Sequence, residues 1–240
     1  MNPKKVILKN DKKFYWSEGD LHTSFGVFKE SDIKSSEGKI STHSEKEAII
    51  MHASFNDKMQ KISRGPQAIM EKDVGSILAY TSPSPTAKII EVGAGSGKLT
   101  CYLAHFFPQA TVISYEKNKE NIELAKKNLS ALGLKHVEFK HVDVLESFSE
   151  EDIDILILDI PDAALAVKNV SSAIKNGGYL VSYLPSITQV QDFVKELENS
   201  FILDRVLENI EREWHVEGRK VRPKSPAIMH TAFLVFARKV

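Results

Sequence analysis

Short apolar runs alternate with amphipathic runs from residue 87 onward. Runs rich in branched and aromatic side chains predict strands at residues 87–95, 111–118, 136–144, 152–160 and 178–185. Between them, apolar positions recur at intervals of three and four residues and predict helices at residues 98–107, 118–133, 163–176 and 187–200. Because strands that alternate with helices are typical of βαβ units, this region predicts an α/β fold with a doubly wound, mainly parallel sheet.

Two strands of this sheet stand out by their pattern. The run at 152–160 is apolar almost throughout, which predicts a central strand buried on both faces. After residue 200, two long β-prone runs occupy residues 201–216 and 230–240. They predict that the sheet finishes with an antiparallel C-terminal pair.

The first part of the chain has two textures. Residues 1–50 contain short alternating runs between polar turns and predict a small β-rich module. Residues 45–83 have a more helical pattern, and 71–83 predicts a helix that ends at prolines. We therefore expect a small N-terminal β-rich module at residues 1–60 and a larger α/β domain at residues 61–240.

The composition is that of an ordinary soluble globular protein. The chain has 240 residues, of which 42% are hydrophobic and 27% are charged. No apolar stretch approaches the roughly 20 residues that a bilayer span needs, and the polar start lacks the apolar core of a signal peptide. We therefore expect a cytoplasmic protein with no membrane partner. The single cysteine, Cys101, excludes an intramolecular disulfide and a multi-cysteine metal site, so we expect no metal.

The formal net charge is +0 at pH 7, but the charges are unevenly distributed. Both ends of the chain carry more lysine and arginine than aspartate and glutamate, and the centre carries the reverse. A neutral total can therefore conceal basic surfaces at the termini, which would suit a polyanionic partner. Small imbalances of this kind are also usual for solvated faces, so the charge alone leaves both interpretations open.

A glycine-rich turn follows the first predicted strand of the sheet, in the segment EVGAGSGKLT at residues 91–100. Gly93, Gly95 and Gly97 let the main chain turn tightly and approach a ligand closely. The spacing is not the G-x-G-x-x-G of a dinucleotide-binding turn, and the sequence has no G-x-x-x-x-G-K-[ST] phosphate loop. An ordinary tight turn is the alternative interpretation.

Acidic residues end the next three predicted strands. Glu116 ends the second strand, Asp143 the third and Asp159 the fourth. In open α/β sheets, ligands lie at the carboxyl ends of the strands, and a carboxylate at Glu116 can accept hydrogen bonds from both ribose hydroxyls of a nucleoside. Each residue alone could be a solvated strand end or a buried structural group. Their combination with the glycine-rich turn favours a nucleoside-binding site.

This combination resembles motif I and the following strand ends of class I methyltransferases, whose sheet is Rossmann-like. The resemblance implies S-adenosyl-L-methionine, a nucleoside without a phosphate group, as the cofactor. It also implies that Asp143 contacts the adenine of the cofactor and that Asp159 faces the methyl acceptor. The cofactor-binding residues that it implies are Gln67, Glu91, Gly93, Gly95, Gly97, Leu99, Thr100, Glu116, Asp143 and Asp159.

A more specific resemblance covers roughly residues 64–240. The segments RGPQAIMEKD (64–73), VSYLPSITQV (181–190), EREWHV (211–216) and MHTAFLVFARK (229–239) are similar to those of the tRNA adenine-N1 methyltransferases of archaea and bacteria, the TrmI group. This resemblance implies a tRNA partner, a homotetramer and methylation of N1 of an adenine in the T-arm. The modified position that it implies is 58, and position 57 stays open as an alternative or additional site. One departure is that the family's aspartate is followed by a short segment ending in Pro-Trp, whereas the residues after Asp159 here are Ile160, Pro161, Asp162, Ala163 and Ala164.

The same resemblance suggests the substrate side. Asp159 is the implied catalytic residue, and Tyr183, Gln189 and His230 are implied near the acceptor, with sheet-end and helix-cap roles as the alternatives. The basic segment RKVRPK at residues 219–224 contains Arg219 and Arg222 and could contact RNA phosphates; a solvated loop is its alternative.

Two other functions stay open at this point. A protein-L-isoaspartate O-methyltransferase would share the glycine-rich turn. A noncatalytic RNA-binding subunit of a tRNA methyltransferase would share the fold but would not need the intact cofactor residues.

Overall fold

A computed structural model of the chain describes residues 2–63, 65, 68–198, 200–225 and 229–240. The chain divides into two compact units, residues 1–63 together with 131–133 and residues 64–130 together with 134–240. None of the helices within the described ranges is long and apolar enough to cross a bilayer.

The smaller unit is mainly β-structure. Its elements are β1 (Lys5–Lys9), β2 (Lys12–Trp16), β3 (Leu21–Thr23), β4 (Gly26–Phe28), α1 (Glu30–Ser35), β5 (Gly38–Ser41), β6 (Glu47–His52) and α2 (Phe55–Met59). An antiparallel sheet has the order β2-β1-β6-β5, and β3 and β4 form a separate hairpin. The buried side chains that pack in this unit include Ile7, Trp16, Phe28, Ile33, Ile40, Ala48 and Ile50.

The prediction of a helical texture from residue 45 is wrong for β6. Ala48 and Ile50 are buried while Ile49 and Met51 are exposed, which is the two-residue period of a strand. Glutamate, alanine and methionine in this segment favour a helix by propensity, but pairing with β1 and β5 on both sides overrides that preference.

The larger unit carries the doubly wound fold. Its elements are α3 (Glu71–Thr81), β7 (Lys88–Val92), α4 (Lys98–Phe106), β8 (Thr111–Glu116), α5 (Lys119–Leu132), β9 (Val137–His141), β10 (Ile153–Leu158), α6 (Ala163–Val170), β11 (Ile174–Leu184), α7 (Ile187–Glu196), β12 (Phe201–Glu208), β13 (Trp214–Glu217), β14 (Lys220–Pro223) and β15 (Phe233–Lys239). The predicted α/β fold with a mainly parallel sheet is confirmed.

The seven-stranded sheet has the order β12-β15-β11-β10-β7-β8-β9. β7 pairs in parallel with both β8 and β10, so the chain winds outward in both directions from this point. β15 runs antiparallel between β11 and β12, as the C-terminal pattern predicts. Since ligands in doubly wound sheets bind where the strand order reverses, the carboxyl ends of β7 and β10 mark the expected site.

The strand β10 is buried on both faces, as its apolar run predicts. Ile155 is 3% exposed, and Leu156, Ile157 and Leu158 are not exposed. This strand ends at Leu158, immediately before Asp159, so the rigid centre of the sheet positions that carboxylate.

Two predicted elements have different bounds in the structure. The helix predicted over 163–176 ends at Val170, a 3₁₀ turn follows at Ser171–Ala173, and the chain then enters β11 at Ile174. The run at 201–216 is not one strand, because β12 ends at Glu208 and β13 pairs with β14 in a separate hairpin. In both cases apolar positions recur on either side of a change of direction, and hydrophobicity alone does not mark the break.

Candidate active site at the carboxyl edge of the sheet

The glycine-rich turn joins β7 to α4. Gly93, Gly95 and Gly97 all have positive φ angles, of 97°, 51° and 75°. A Cβ atom at Gly93 would lie 2.2 Å from the main-chain oxygen of Asp159, and one at Gly97 would lie 2.8 Å from Cβ of Ala125. The first and third glycines are therefore required where the turn packs against the end of β10 and against α5.

Glu116 is fixed at the end of β8 by main-chain donors. Its side chain is buried, Oε2 accepts the N–H of Gly95 at 2.9 Å, and Oε1 accepts the N–H of Asn118 at 2.9 Å. One donor to each oxygen leaves further lone pairs free on both. The arrangement can therefore accept two more hydrogen bonds from a vicinal diol.

A cleft of about 200 Å³ opens beside Glu116. The residues that line it come from the carboxyl ends of four strands and the loops after them: Val92, Gly93, Gly95, Tyr115, Glu116, Lys117, Asn121, Val142, Asp143, Val144, Leu145, Asp159, Ile160, Pro161 and Asp162. Asp143 accepts the N–H of Leu145 at 2.9 Å, and its other carboxylate oxygen lies 3.8 Å from Nζ of Lys117. The predicted set of Gly93, Gly95, Glu116, Asp143 and Asp159 thus surrounds one cleft.

Asp159 follows β10 at the centre of this edge. Its N–H donates to the main-chain oxygen of Val92 at 2.8 Å, which fixes the backbone. Its carboxylate makes no hydrogen bond or ion pair with any residue that the structure describes. Burial, together with the negative charge of Glu116, raises the pKa of Asp159 to about 7. This carboxylate would be stabilised in its charged form by a cation or a hydrogen-bond donor in the cleft.

Glu91 lies behind the turn and is only 1% exposed. The hydroxyl groups of Thr100 and Ser114 both donate to its Oε2. Burial raises the pKa of Glu91 to about 8, so the group is mainly neutral at pH 7. With Leu99 and Asp159 it lines a second cavity of only about 20 Å³, room for about one water molecule. Thr100 is buried and acts on Glu91 rather than on the larger cleft.

A buried group of side chains that sequence reasoning did not identify as a unit lies at the same edge of the sheet. We call it the Asp73 cluster; its members are Lys72, Asp73, Tyr183, Asn209 and Thr231. Asp73 is fully buried and accepts hydrogen bonds from each of the other four. The acidic first turn of α3 is visible in the sequence, but nothing in the sequence indicates partners more than one hundred residues away.

Two residues predicted near the acceptor make contacts within the protein. Gln189 Oε1 accepts the N–H of Ser186 at 3.2 Å, which caps α7, and its Nε2 donates to the main-chain oxygen of Pro161 at 3.2 Å. Gln189 therefore braces the loop that follows Asp159. His230 is hydrogen-bonded through Nδ1 to the carboxylate of Glu208 and through Nε2 to the main-chain oxygen of Pro185 at 2.9 Å. These two hydrogen bonds, the one to Pro185 first, raise the pKa of His230.

The predicted phosphate contacts lie on the β13–β14 hairpin. Arg219 is in its turn and Arg222 is in β14, and both are exposed. Gln67, the remaining predicted cofactor residue, lies outside the described residues.

The family model of the tRNA methyltransferase complex GCD14 subunit matches residues 58–225. The chain belongs to this family. It is 29% identical to the tRNA (adenine(57)-N(1)/adenine(58)-N(1))-methyltransferase TrmI of Methanocaldococcus jannaschii, over 97% of this chain and 90% of that protein. It is 31% identical to the tRNA (adenine(58)-N(1))-methyltransferase TrmI of Thermus thermophilus, over 84% of this chain and 81% of that protein.

A solved structure extends the similarity to the whole fold. The SAM-dependent O-methyltransferase of Thermotoga maritima superposes with a TM-score of 0.89 at 30% identity, covering 100% of this chain and 93% of that one. The chain therefore has the fold of a SAM-dependent methyltransferase, and the predicted family resemblance is confirmed.

Proposed function

We propose that this protein is a tRNA methyltransferase that transfers a methyl group from S-adenosyl-L-methionine to N1 of an adenine. The observation that carries the proposal is the cleft at the carboxyl edge. There, each carboxylate oxygen of Glu116 accepts one main-chain N–H and can accept a further hydrogen bond from a diol. The carboxylate of Asp159 is desolvated and has no partner among the described residues. Membership of the family and the names of the TrmI relatives supply the acceptor class.

The residues of the cleft fit the cofactor without any phosphate-binding device. The two oxygens of Glu116 would accept the two ribose hydroxyls, and the carboxylate of Asp143 would accept a hydrogen bond from the adenine amino group. The open side of Gly95, where a Cβ would meet nothing within 4 Å, leaves room for a ligand against the main chain. Bound S-adenosyl-L-methionine supplies an electrophilic methyl group on a sulfonium centre.

On the acceptor side, the task of the protein is alignment. Adenine N1 has a free lone pair at neutral pH, so no residue has to remove a proton before attack. Asp159 would accept a hydrogen bond from the N6 amino group and stabilise the positive charge that develops on the base. The target base must leave the folded RNA to reach this edge.

Two surface features support further parts of the proposal. The exposed Arg219 and Arg222 on the β13–β14 hairpin would contact RNA phosphates. The edge strand β12 exposes Ile202 (62%) and Leu203 (41%), and Trp214 on the hairpin is 53% exposed. An apolar sheet edge of this kind is suited to burial against another copy of the chain, in a homotetramer. A tRNA substrate would place the protein in the cytoplasm.

Mass spectrometry of nucleosides from tRNA incubated with the protein and S-adenosyl-L-methionine tests the proposal. We expect 1-methyladenosine, and mapping of the modified fragment then assigns position 57, position 58 or both. Methyl esters on an isoaspartyl peptide with unmodified tRNA would instead favour a protein-L-isoaspartate O-methyltransferase. Absence of micromolar cofactor binding in calorimetry would favour a noncatalytic RNA-binding subunit.

A further inference from the structure

The Asp73 cluster buries a charged pair that cofactor binding does not explain. Asp73 is fully buried, and the Lys72 side chain is only 10% exposed, with Nζ 2.9 Å from both carboxylate oxygens. Removing two charges from water costs several kcal/mol per ion, and their attraction often does no more than offset this cost. A buried pair is therefore weak evidence for a stabilising role, and a role in positioning the side chains that bind to Asp73 is the alternative.

The two oxygens of the Asp73 carboxylate have different partners. Oδ1 accepts Nδ2 of Asn209 at 2.9 Å, and Asn209 also donates to Ser76 on the same helix. Oδ2 accepts the hydroxyl of Thr231 at 2.8 Å and the hydroxyl of Tyr183 at 3.3 Å. One side of the carboxylate thus ties α3 to the segment after β12, and the other side reaches a tyrosine on β11.

Tyr183 stands beside Asp159 at the edge of the sheet. β10 and β11 are parallel neighbours, and Leu158, the last residue of β10, pairs with Ser182. Asp159 directly follows this pair after β10, and Tyr183 directly follows it within β11. Burial, followed by the charges of Asp73 and Asp159, raises the pKa of Tyr183 to about 12. The phenol therefore stays protonated at physiological pH and donates a hydrogen bond to Asp73.

We propose that Asp73 is a positioning residue that orients the Tyr183 hydroxyl to recognise the amino group of the acceptor base. A phenol has one proton and can also accept hydrogen bonds. When the proton is committed to Asp73, the remaining lone pairs of the oxygen are available only to a donor. An exocyclic amino group can donate two hydrogen bonds, so Asp159 would accept one and Tyr183 the other. This inference rests on the proposed adenine methylation.

The consequence is discrimination against a base that lacks the amino group. A tRNA transcript with purine riboside in place of the modified adenosine keeps N1 but removes both N6 contacts. We expect the wild-type protein to methylate this transcript far more slowly than the adenosine transcript. In Tyr183→Phe and in Asp73→Asn, the ratio of the two single-turnover rates should fall by about 3- to 10-fold, since one of the two hydrogen bonds to N6 is already absent.

The variants are measured at saturating cofactor, beside calorimetric cofactor binding and melting curves. Tyr183→Phe and Asp73→Asn should each lower the adenosine rate, and the double variant should be no slower than the slower single variant, because the two residues act through one hydrogen bond. Cofactor affinity should stay within about twofold of wild type. Asn209→Ala is the matched control: it binds the other oxygen of Asp73, so it should lower the melting temperature and leave the adenine-to-purine ratio unchanged.

The outcomes separate this inference from the proposed function. If wild-type protein does not methylate tRNA adenine, the proposed function fails. If wild type is active but Tyr183→Phe or Asp73→Asn keeps the wild-type ratio, the positioning role is overturned. Should Asp73→Asn fail to fold because Lys72 is left buried and unpaired, Lys72→Met with Asp73→Asn removes both charges together, and an unchanged ratio in this folded variant would equally overturn the inference.

Discussion

The proposed cofactor side and the proposed acceptor side of this edge are built in different ways. On the cofactor side, Glu116 accepts hydrogen bonds from the N–H groups of Gly95 and Asn118, and no side chain among the described residues donates a hydrogen bond to it. On the acceptor side, Tyr183 is oriented by Asp73, whose hydrogen bond with Thr231 joins residues that are 158 positions apart. Main-chain donors follow from the course of the strands, whereas a network of side chains depends on every member.

Replacement of Asp159 should give the largest effect. We expect Asp159→Asn to lower the single-turnover methyl-transfer rate by about 100-fold or more, because the amide keeps the shape but cannot supply the negative charge that stabilises the cationic base. Asp159→Ala should be at least as severe. Quenched-flow measurement with radiolabelled cofactor gives the rates.

The control for this variant is Asp192→Asn on the exposed face of α7, which should methylate at the wild-type rate. A folded Asp159→Asn protein with a normal rate would contradict a chemical role for this carboxylate and leave it a structural one.

Replacement of Glu116 should act on the other side of the comparison. We expect Glu116→Ala to weaken cofactor binding by about 1.5–3 kcal/mol, roughly 10- to 150-fold in Kd, because two ribose hydroxyls would no longer meet a charged acceptor. Titration calorimetry measures the change. Glu120→Ala, an exposed residue at the start of α5, is the matched control, and equal affinity of both variants would remove Glu116 from the binding site.

These two sides also differ in how far the sequence predicts them. Gly93, Glu116 and Asp159 stand at a strand end or directly after one, and Gly95 lies in the turn that follows β7. A correct prediction of the strands therefore brings them together. The Asp73 cluster could not be predicted in this way, because its hydrogen bonds join α3 to β11 and to the segments after β12 and before β15. A hydrogen bond between side chains so far apart leaves no periodicity in the sequence.

The predicted fold shows the same limit. The central parallel strands β7 and β10 are recognisable because apolar residues dominate them, and the edge strand β9 is recognisable because apolar and polar residues alternate along it. The composition of β6 favours a helix, and only its pairing with β1 and β5 makes it a strand. The side chains of Gln189 and His230 form hydrogen bonds with the main-chain oxygens of Pro161 and Pro185, respectively. These partners depend on loop positions that composition does not encode.

Replacement of Glu91 should give a smaller effect, which we expect on thermal stability rather than on catalysis. Its pKa is raised in the folded protein, so the stability that it contributes is fully present below its usual pKa of 4.5 and is lost as pH rises through about 8. Glu91→Gln keeps an oxygen for Ser114 and Thr100 and cannot ionise. The melting temperature of the variant minus that of wild type should therefore increase between pH 5 and pH 9. A constant difference across this range would contradict a buried, mainly neutral Glu91.

The smallest effect should come from the surface. Arg219→Gln with Arg222→Gln should weaken tRNA binding by about threefold to tenfold and reduce the slope of log affinity against log salt by about one for each phosphate that is no longer neutralised. Fluorescence anisotropy over a salt series measures both. Lys127→Gln on α5 is a single-charge control. An unchanged slope in the hairpin variant would assign RNA binding to another surface.

Cofactor titration of Asp159→Asn beside wild type tests the division between the two sides most directly. The account predicts that the variant, despite its slow methyl transfer, binds S-adenosyl-L-methionine with a Kd within about threefold of wild type, because Glu116 and the glycine-rich turn are intact. A loss of affinity as large as that of Glu116→Ala would contradict it, since cofactor and acceptor would then depend on the same carboxylate.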